Sequence, residues 1–255
     1  MSEARRNELL QLVSARGFIR VTDASDELGV SEVTIRADLT QLEERGSVVR
    51  VHGGAMLPGA IREPSLENAR EQQSIAKRAI GEHTAGVVRS GDSVFLDVGS
   101  TALAVANALV ERRDLHDLVV VTNGLSIALA LEAALPRFTV IVTGGTLRPL
   151  QHSLVNPYAS QLIDSLRFDL AIIGCNGVDV TAGVTNVNLP ETEVKRQVMR
   201  VASRRILVAD GSKLGVTELG VVGAVSDFDV LITAGASTEA IAPIEAAGLR
   251  VENAS

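Results

Sequence analysis

From Asp92 onward the chain repeats one pattern: a short apolar run, then a stretch whose apolar positions fall at helical spacing. The runs are SVFLDV, LVVVTN, FTVIVTGG, DLAIIG, RILVAD, DVLITA and LRVEN; helical patterns follow at Thr101–Glu111, Ser126–Leu135, Tyr158–Leu166, Pro190–Ser203 and Thr238–Ala247. Strands that are apolar throughout, rather than alternately, are buried on both faces. Interleaved with helices, they predict an α/β domain with a largely parallel sheet covered on both sides. Such sheets bind ligands beyond the carboxyl ends of their strands. Here those ends are glycine-rich and polar: Asp97-Val98-Gly99-Ser100-Thr101, Thr122-Asn123-Gly124, Thr143-Gly144-Gly145-Thr146, Gly174-Cys175-Asn176-Gly177 and Asp210-Gly211-Ser212-Lys213. Neither GxGxxG nor GxxxxGK[ST] occurs, so a dinucleotide fingerprint or a P-loop is not expected.

The first 55 residues have a different texture. Arg5–Ala15 carries Leu9, Leu10 and Val13 at helical spacing, a second short helix begins at Thr22 and stops at Gly29, and Ser31 can cap a third that ends before Gly46. The third helix turns Ile35, Leu39 and Leu42 to one side and Thr34, Ala37, Thr40, Gln41 and Glu44 to the other, with Arg36 at the edge. SVVRVH then alternates up to Gly53-Gly54, as a short hairpin or wing does. This is the layout of a small winged helix-turn-helix domain. Hydroxyls and arginines suit phosphates and glutamine suits a base edge, so Thr34, Arg36, Thr40 and Gln41 are candidates for DNA. A solvated helix would show the same two faces. Seven arginines against nine acids in residues 1–55 also leave no broad basic stripe. Pro58, Gly59 and Pro64 fall where periodicity is lost. The expected organisation is therefore 1–57 reader, 58–66 linker, and 67–255 α/β domain, its first helix capped by Ser65 and running to about Arg89.

Composition closes off several classes. A single cysteine, Cys175, permits no internal disulfide and no cysteine metal cluster, and points to a reducing cytoplasm. The histidines His52, His83, His116 and His152 lack ligand spacing, so no metal is expected. The opening MSEARRNELL has no apolar run of the secretory kind, and Leu118–Leu131 is too short and polar to span a bilayer. A net charge of −7 argues against non-specific coating of nucleic acid or anionic membrane. Among 24 lysines and arginines only Lys77, Lys195 and Lys213 are lysine, which raises the question of whether a compact ammonium is required at those places.

At the strand ends the chemistry is that of an anion site. The turn Gly99-Ser100-Thr101 offers backbone N–H groups, two hydroxyls and a helix N-terminus to a phosphate, although Ser100 would equally serve as a plain cap. Asp97 can accept from sugar hydroxyls and Lys213 can neutralise a phosphate. Glu191 and Lys195, one turn apart, form either a surface ion pair or part of the pocket. Thr122, Asn123, Gly144, Gly145, Gly174, Asn176, Gly177 and Asp210 complete the candidate set, through amide contacts and close backbone approach. Cys175 beside them reads as a small core residue rather than a redox sensor, and Phe138 and Phe168 as core residues at strand starts.

VSEVTIRADLTQLEERGSVVRVHGGA, Val30–Ala55, closely resembles the N-terminal signature of the DeoR family of bacterial transcriptional regulators. DVGST, VVTN, VTGGT, IGCNGVD, ETEVKR and VADGSK stand in the order of that family's effector domain, which is similar in fold to ribose-5-phosphate isomerase. The resemblance covers about Arg5 to Ala234. It implies Ser31, Thr34, Arg36, Thr40 and Gln41 at DNA, Arg50 and His52 on the wing, and a phosphorylated sugar or sugar alcohol as effector. Three positions depart from the pattern: Ala37 where a second arginine is usual, Ala102 where a threonine is common, and Asn156 where glycine is usual. The expected function is a cytoplasmic repressor with neither cofactor nor metal, pairing as a homodimer or homotetramer through its α/β domain so that two recognition helices meet two half-sites. The competing reading is a sugar-phosphate isomerase with an appended reader, in which Asp97, Glu191, Lys195 and Lys213 would move protons and hold an enediolate. A pure protein-interaction module would leave the polar strand ends unexplained.

Overall fold

The computed structural model describes residues 2–16, 18–51, 53–56 and 63–254. The chain divides into two compact units, Met1–Arg62 and Glu63–Ser255.

The first unit is built from α1 (Ser2–Arg16), β1 (Phe18–Arg20), α2 (Val21–Leu28), α3 (Glu32–Glu44), β2 (Val49–Val51) and β3 (Gly54–Met56). Leu9, Val13, Ala24, Ile35, Leu39 and Leu42 share one buried cluster with Ile19, Val48 and Ala55. The apolar stripe of α3 is thus inside, as its spacing requires. Ser31 caps α3 by accepting from the Thr34 backbone N–H at 3.3 Å. The sheet runs β1-β3-β2, a three-stranded wing sheet rather than a lone hairpin. β1 has only three residues, too few for its alternation to register in the sequence. Asp38, in the middle of α3, is buried and pairs with Arg5 at 2.5 Å and Arg6 at 3.6 Å. Two of the seven N-terminal arginines therefore fasten α1 to α3.

The second unit opens with α4 (Leu66–Glu71) and α5 (Ser74–Val87). The helix expected from Ser65 to about Arg89 is broken at Gln72-Gln73, Gln73 having φ 54. The break lets the Lys77 ammonium cap the end of α4, donating to the Ala69 and Gln72 carbonyls at 2.5 and 2.7 Å. Ser65 does cap the first piece, accepting from the Asn68 backbone N–H at 3.3 Å. The expected linker 58–66 is also too long: Glu63, Ser65 and Leu66 are buried in this unit.

Alternation then follows as β4 (Ser93–Leu96), α6 (Ser100–Glu111), β5 (Leu118–Thr122), α7 (Leu125–Leu131), β6 (Phe138–Val142), β7 (Thr146–Arg148), β8 (Ser153–Val155), α8 (Tyr158–Asp164), β9 (Phe168–Gly174), β10 (Gly177–Asp179), β11 (Gly183–Asn186), α9 (Leu189–Val201), β12 (Ala202–Val208), β13 (Gly220–Gly223), β14 (Val230–Thr233), α10 (Thr238–Ala246) and β15 (Val251–Asn253). α9 ends at Val201 because Ala202 already pairs with Phe168 in the sheet.

Seven strands form one parallel sheet in the order β15-β14-β12-β9-β4-β5-β6. Successive residues face opposite layers. Val94, Leu96, Leu170, Ile172, Ile206 and Val208 pack with α5, α6 and α7. Phe95, Ala171, Ile173 and Leu207 pack with α8, α9 and α10. Phe95, Phe138 and Phe168 are each at most 2% exposed, and burial of such a side chain stabilises by about 1.5–3 kcal/mol. From β4 the chain winds one way through β5 and β6 and the other way through β9, β12, β14 and β15, so the topological switch point lies between β4 and β9. Two smaller antiparallel elements are added: the β7–β8 pair, and a sheet β10-β11-β13.

Candidate functional site

At the switch point β4 leads into α6 and β9 into β10, and a cavity of about 70 Å³ opens beside the first turn of α6. Gly99, Ser100, Thr101, Gly174, Asn176, Glu191, Lys195 and Lys213 line it. Gly99 takes φ 102 as the residue that turns β4 into α6, a value side chains rarely adopt. This leaves the N-terminal amides of α6 free to meet an anion. All three lysines of the chain reach this one cavity.

Their environments differ. Asn188 caps α9 by accepting from the Glu191 backbone N–H at 3.0 Å, which sets Glu191 and Lys195 on the buried face of that helix, 3% and 2% exposed. They do not form the simple surface pair their spacing allows. Lys195 donates to Asp97 and, at 3.0 Å, to the Gly174 carbonyl. Burial lowers the Lys195 ammonium, but Asp97 and Glu191 overcome this and hold it above the ordinary lysine value. Burial pushes the Asp97 carboxyl up in turn, with Lys195 opposing. Glu191 accepts from Arg148 and from Ser153 Oγ. Arg148 also donates to Glu63 at 2.6 Å. Burial, then the neighbouring Glu191, pushes the Glu63 carboxyl up against the pull of Arg148. Burial lowers the Lys77 ammonium, with Asp210 at 3.9 Å opposing. The Lys213 ammonium makes no hydrogen bond or ion pair among the described residues.

In the first unit, Arg36 and Gln41 of α3 are exposed, with Thr34 and Thr40 half-buried. Arg36 pairs with Glu32 at 2.5 Å, an exposed contact of small value that a phosphate can replace. Arg50 of β2 donates to Thr40 Oγ1 at 3.0 Å, and Ser31 and Thr34 share a hydroxyl contact of 2.9 Å. Ser31 thus contacts Thr34 and Arg50 contacts Thr40, while Arg36 and Gln41 are exposed on the same helix. His52 lies outside the described residues.

The DeoR-like helix-turn-helix domain matches residues 5–59 and the DeoR C terminal sensor domain matches residues 72–234. This chain belongs to the DeoR family. It is 34% identical over 249 residues to the HTH-type transcriptional regulator GlpR of Haloferax volcanii, covering 97% of this chain and 96% of that one. It is 30% identical over 229 residues to the glycerol-3-phosphate regulon repressor of Escherichia coli, covering 90% and 89%. Among solved structures, the full-length sorbitol operon regulator SorC from Klebsiella pneumoniae overlaps 94% of this chain and 97% of its own at 16% identity and a TM-score of 0.42. Ribose 5-phosphate isomerase from Plasmodium falciparum overlaps 54% and 51% at 17% identity and a TM-score of 0.39.

Seven of the candidate effector residues in this DeoR-family chain are not on the cavity wall. Asp97 is 1% exposed behind Lys195. Thr122 Oγ1 accepts from the Gly124 backbone N–H, while Asn123 Nδ2 donates to the Leu154 carbonyl, tying β5 to β8. Gly144 and Gly145 form the turn into β7; a Cβ on Gly145 would stand 2.1 Å from the Val155 carbonyl oxygen. Gly177 lets β10 approach Val216, where a Cβ would stand 2.3 Å from its carbonyl oxygen. Asp210 accepts from the Ser212 backbone N–H at 3.1 Å and faces Lys77. These residues brace the strand ends around the cavity without lining it. Of the departures from the family pattern, Ala37 is exposed on α3, Ala102 is buried in the core, and Asn156 accepts from Ser160 at the start of α8, away from the wall.

Glu63, Gln72, Lys77, Gln151 and Asn186 line the cavity without having been candidates. For Lys77 the scarcity of lysine was a usable signal; the others come from segments with no motif. Val33 is 73% exposed on α3 and was not a candidate, since an isolated surface valine carries no pattern. Burial pushes the Cys175 thiol up to about 12, which makes it a poor redox sensor. Among the described residues no three or more His, Cys, Asp or Glu groups could hold a metal, and no helix is long and apolar enough to cross a membrane.

Proposed function

We propose that this DeoR-family regulator is a repressor of a carbohydrate-handling operon whose grip on operator DNA changes when a phosphorylated sugar or sugar alcohol occupies the switch-point cavity. The observation that carries the reading is the convergence of all three lysines on one cavity at a helix N-terminus. The phosphate would meet the amides of Gly99, Ser100 and Thr101 with Lys213, whose ammonium is uncommitted, and Asn176 and Lys77 would meet the hydroxyls. On the reader, Arg36 and Arg50 would take phosphates, Gln41 a base edge, and exposed Val33 a thymine methyl. A symmetric dimer or tetramer joined through the second unit would present two such surfaces to two half-sites.

The isomerase reading is weaker on chemical grounds. A general base must be within reach of a substrate proton. Asp97 is engaged by Lys195, and Glu191 by Arg148 and Ser153. The curated relatives named above are also transcriptional regulators.

The test is a thermal-shift screen of triose, pentose and hexose phosphates and their alcohols against wild type and Lys213→Ala. A ligand that binds only the folded state raises the midpoint by mass action. We expect a hit whose shift is lost in Lys213→Ala and which alters operator binding in fluorescence anisotropy. A hit that survives the substitution unchanged would put the anion elsewhere, and turnover of any sugar phosphate, lost in Glu191→Gln, would restore the isomerase reading.

A further inference from the structure

The switch-point cavity is too small for the ligand it is built to receive. Its volume is about 70 Å³, whereas small-molecule sites run from about 300 Å³ upward. Two of the residues lining it are Glu63 and Pro64, the first two residues of the second unit. Three hydrogen bonds clip this segment to the β7–β8 pair and its connecting loop. Arg148 donates to the Glu63 carboxylate at 2.6 Å, Gln151 Nε2 to the Pro64 carbonyl at 2.6 Å, and the Leu66 backbone N–H to the Leu150 carbonyl at 2.9 Å. Arg148 is not itself on the wall, its guanidinium being taken up by Glu63 and Glu191.

Charge points the same way. Lys77, Arg148, Lys195 and Lys213 are balanced by Glu63, Asp97, Glu191 and Asp210, so the closed site has no net charge to offer an anion. Withdrawing Glu63 leaves one positive charge in excess, uncovers Arg148 and enlarges the cavity in a single movement. A phosphate monoester, at about −1.5 to −2 near neutral pH, would gain from all three.

Resting on the effector reading above, we infer that the Glu63 carboxylate is an internal substitute for the effector's anionic group. An entering phosphate ester displaces Glu63 from the charge cluster around Arg148 and unclips Glu63–Leu66. Glu63 follows Arg62 directly, so the released segment is the point at which the second unit joins the chain of the reader. The ligand then acts on DNA binding by competing with a residue of the protein, which supplies the unequal affinity for two states that any such switch needs.

The experiment uses the full chain and its variants Glu63→Gln, nearly isosteric, and Glu63→Ala. Inorganic phosphate and the phosphates of the screen above are titrated by calorimetry, and amide hydrogen exchange is followed at Leu66. We expect binding to tighten about tenfold in Glu63→Ala, within the usual range for coupled sites, and less in Glu63→Gln. Leu66 exchange should accelerate in wild type when ligand binds and be fast in Glu63→Ala without it. Equal affinities in all three proteins with Leu66 exchange unchanged by ligand, while Lys213→Ala still abolishes binding, would overturn the displacement and leave the effector reading standing. Failure of every ligand to bind wild type and both variants would overturn both.

Discussion

Replacing Lys195 by methionine removes one half of a buried ion pair without emptying the space its stem fills. The ammonium and the Asp97 carboxylate are in side chains 3% and 1% exposed, so the carboxylate left behind has no water to turn to, and the Gly174 carbonyl loses its donor as well. Breaking such a pair from one side costs about 3–5 kcal/mol. For a unit of this size each kcal/mol moves the midpoint by about 2–4 °C, so Lys195→Met should melt roughly 6–20 °C below wild type. The pH dependence follows from the raised Lys195 value. Its contribution is complete below the unfolded value of 10.5 and disappears only as pH climbs through the higher folded value, so the gap between the two proteins should stay flat from neutrality to roughly pH 10. Adding Asp97→Asn removes the stranded charge and should recover about 1 kcal/mol or more, as coupled neighbours do. Lys213→Met is the contrast: half-buried and without an ion pair among the described residues, it should melt within about 0.5 kcal/mol of wild type. The assay is urea and thermal unfolding followed by circular dichroism. A Lys195→Met protein within about 1 kcal/mol of wild type would refute the buried-pair argument.

Two further expectations follow from local geometry. Desolvation pushes the part-exposed Cys175 thiol up to about 12, so at pH 8 iodoacetamide should label the native protein far more slowly than the urea-unfolded chain; equal rates would refute the raised thiol value. Gly145→Ala would place a Cβ 2.1 Å from the Val155 carbonyl oxygen at φ 127 and should cost about 2 kcal/mol or more, whereas Gly86→Ala, in open space on α5, should stabilise by about 0.5–1 kcal/mol; reversal of that order in unfolding midpoints would refute the assignment of strain.

The sequence alone determined the two kinds of fold and most of their elements. Periodicity is a local property: Ile35, Leu39 and Leu42 lie on one helical face whatever they pack against, and continuous runs such as DLAIIG have no polar side to give to water. The cap at Ser31 and the glycine turn into α6 are equally local. The family signature in Val30–Ala55 was legible for the same reason, being one contiguous stretch. Strand order is not local. Only the folded sheet sets β4 beside β9, and with that the mouth at which residues 63, 77, 99–101, 174–176, 191, 195 and 213 meet. The same long-range packing decided which polar strand-end residues face the cavity and which brace it. Asn123 spends its side-chain N–H on the β5–β8 junction because the Leu154 carbonyl arrives there from a distant segment, a fact that no spacing rule contains. Glu63 and Arg148 are 85 residues apart and belong to no motif; their pairing exists only because the chain returns to the mouth of the sheet, where burial makes an isolated charge too costly to leave without a partner.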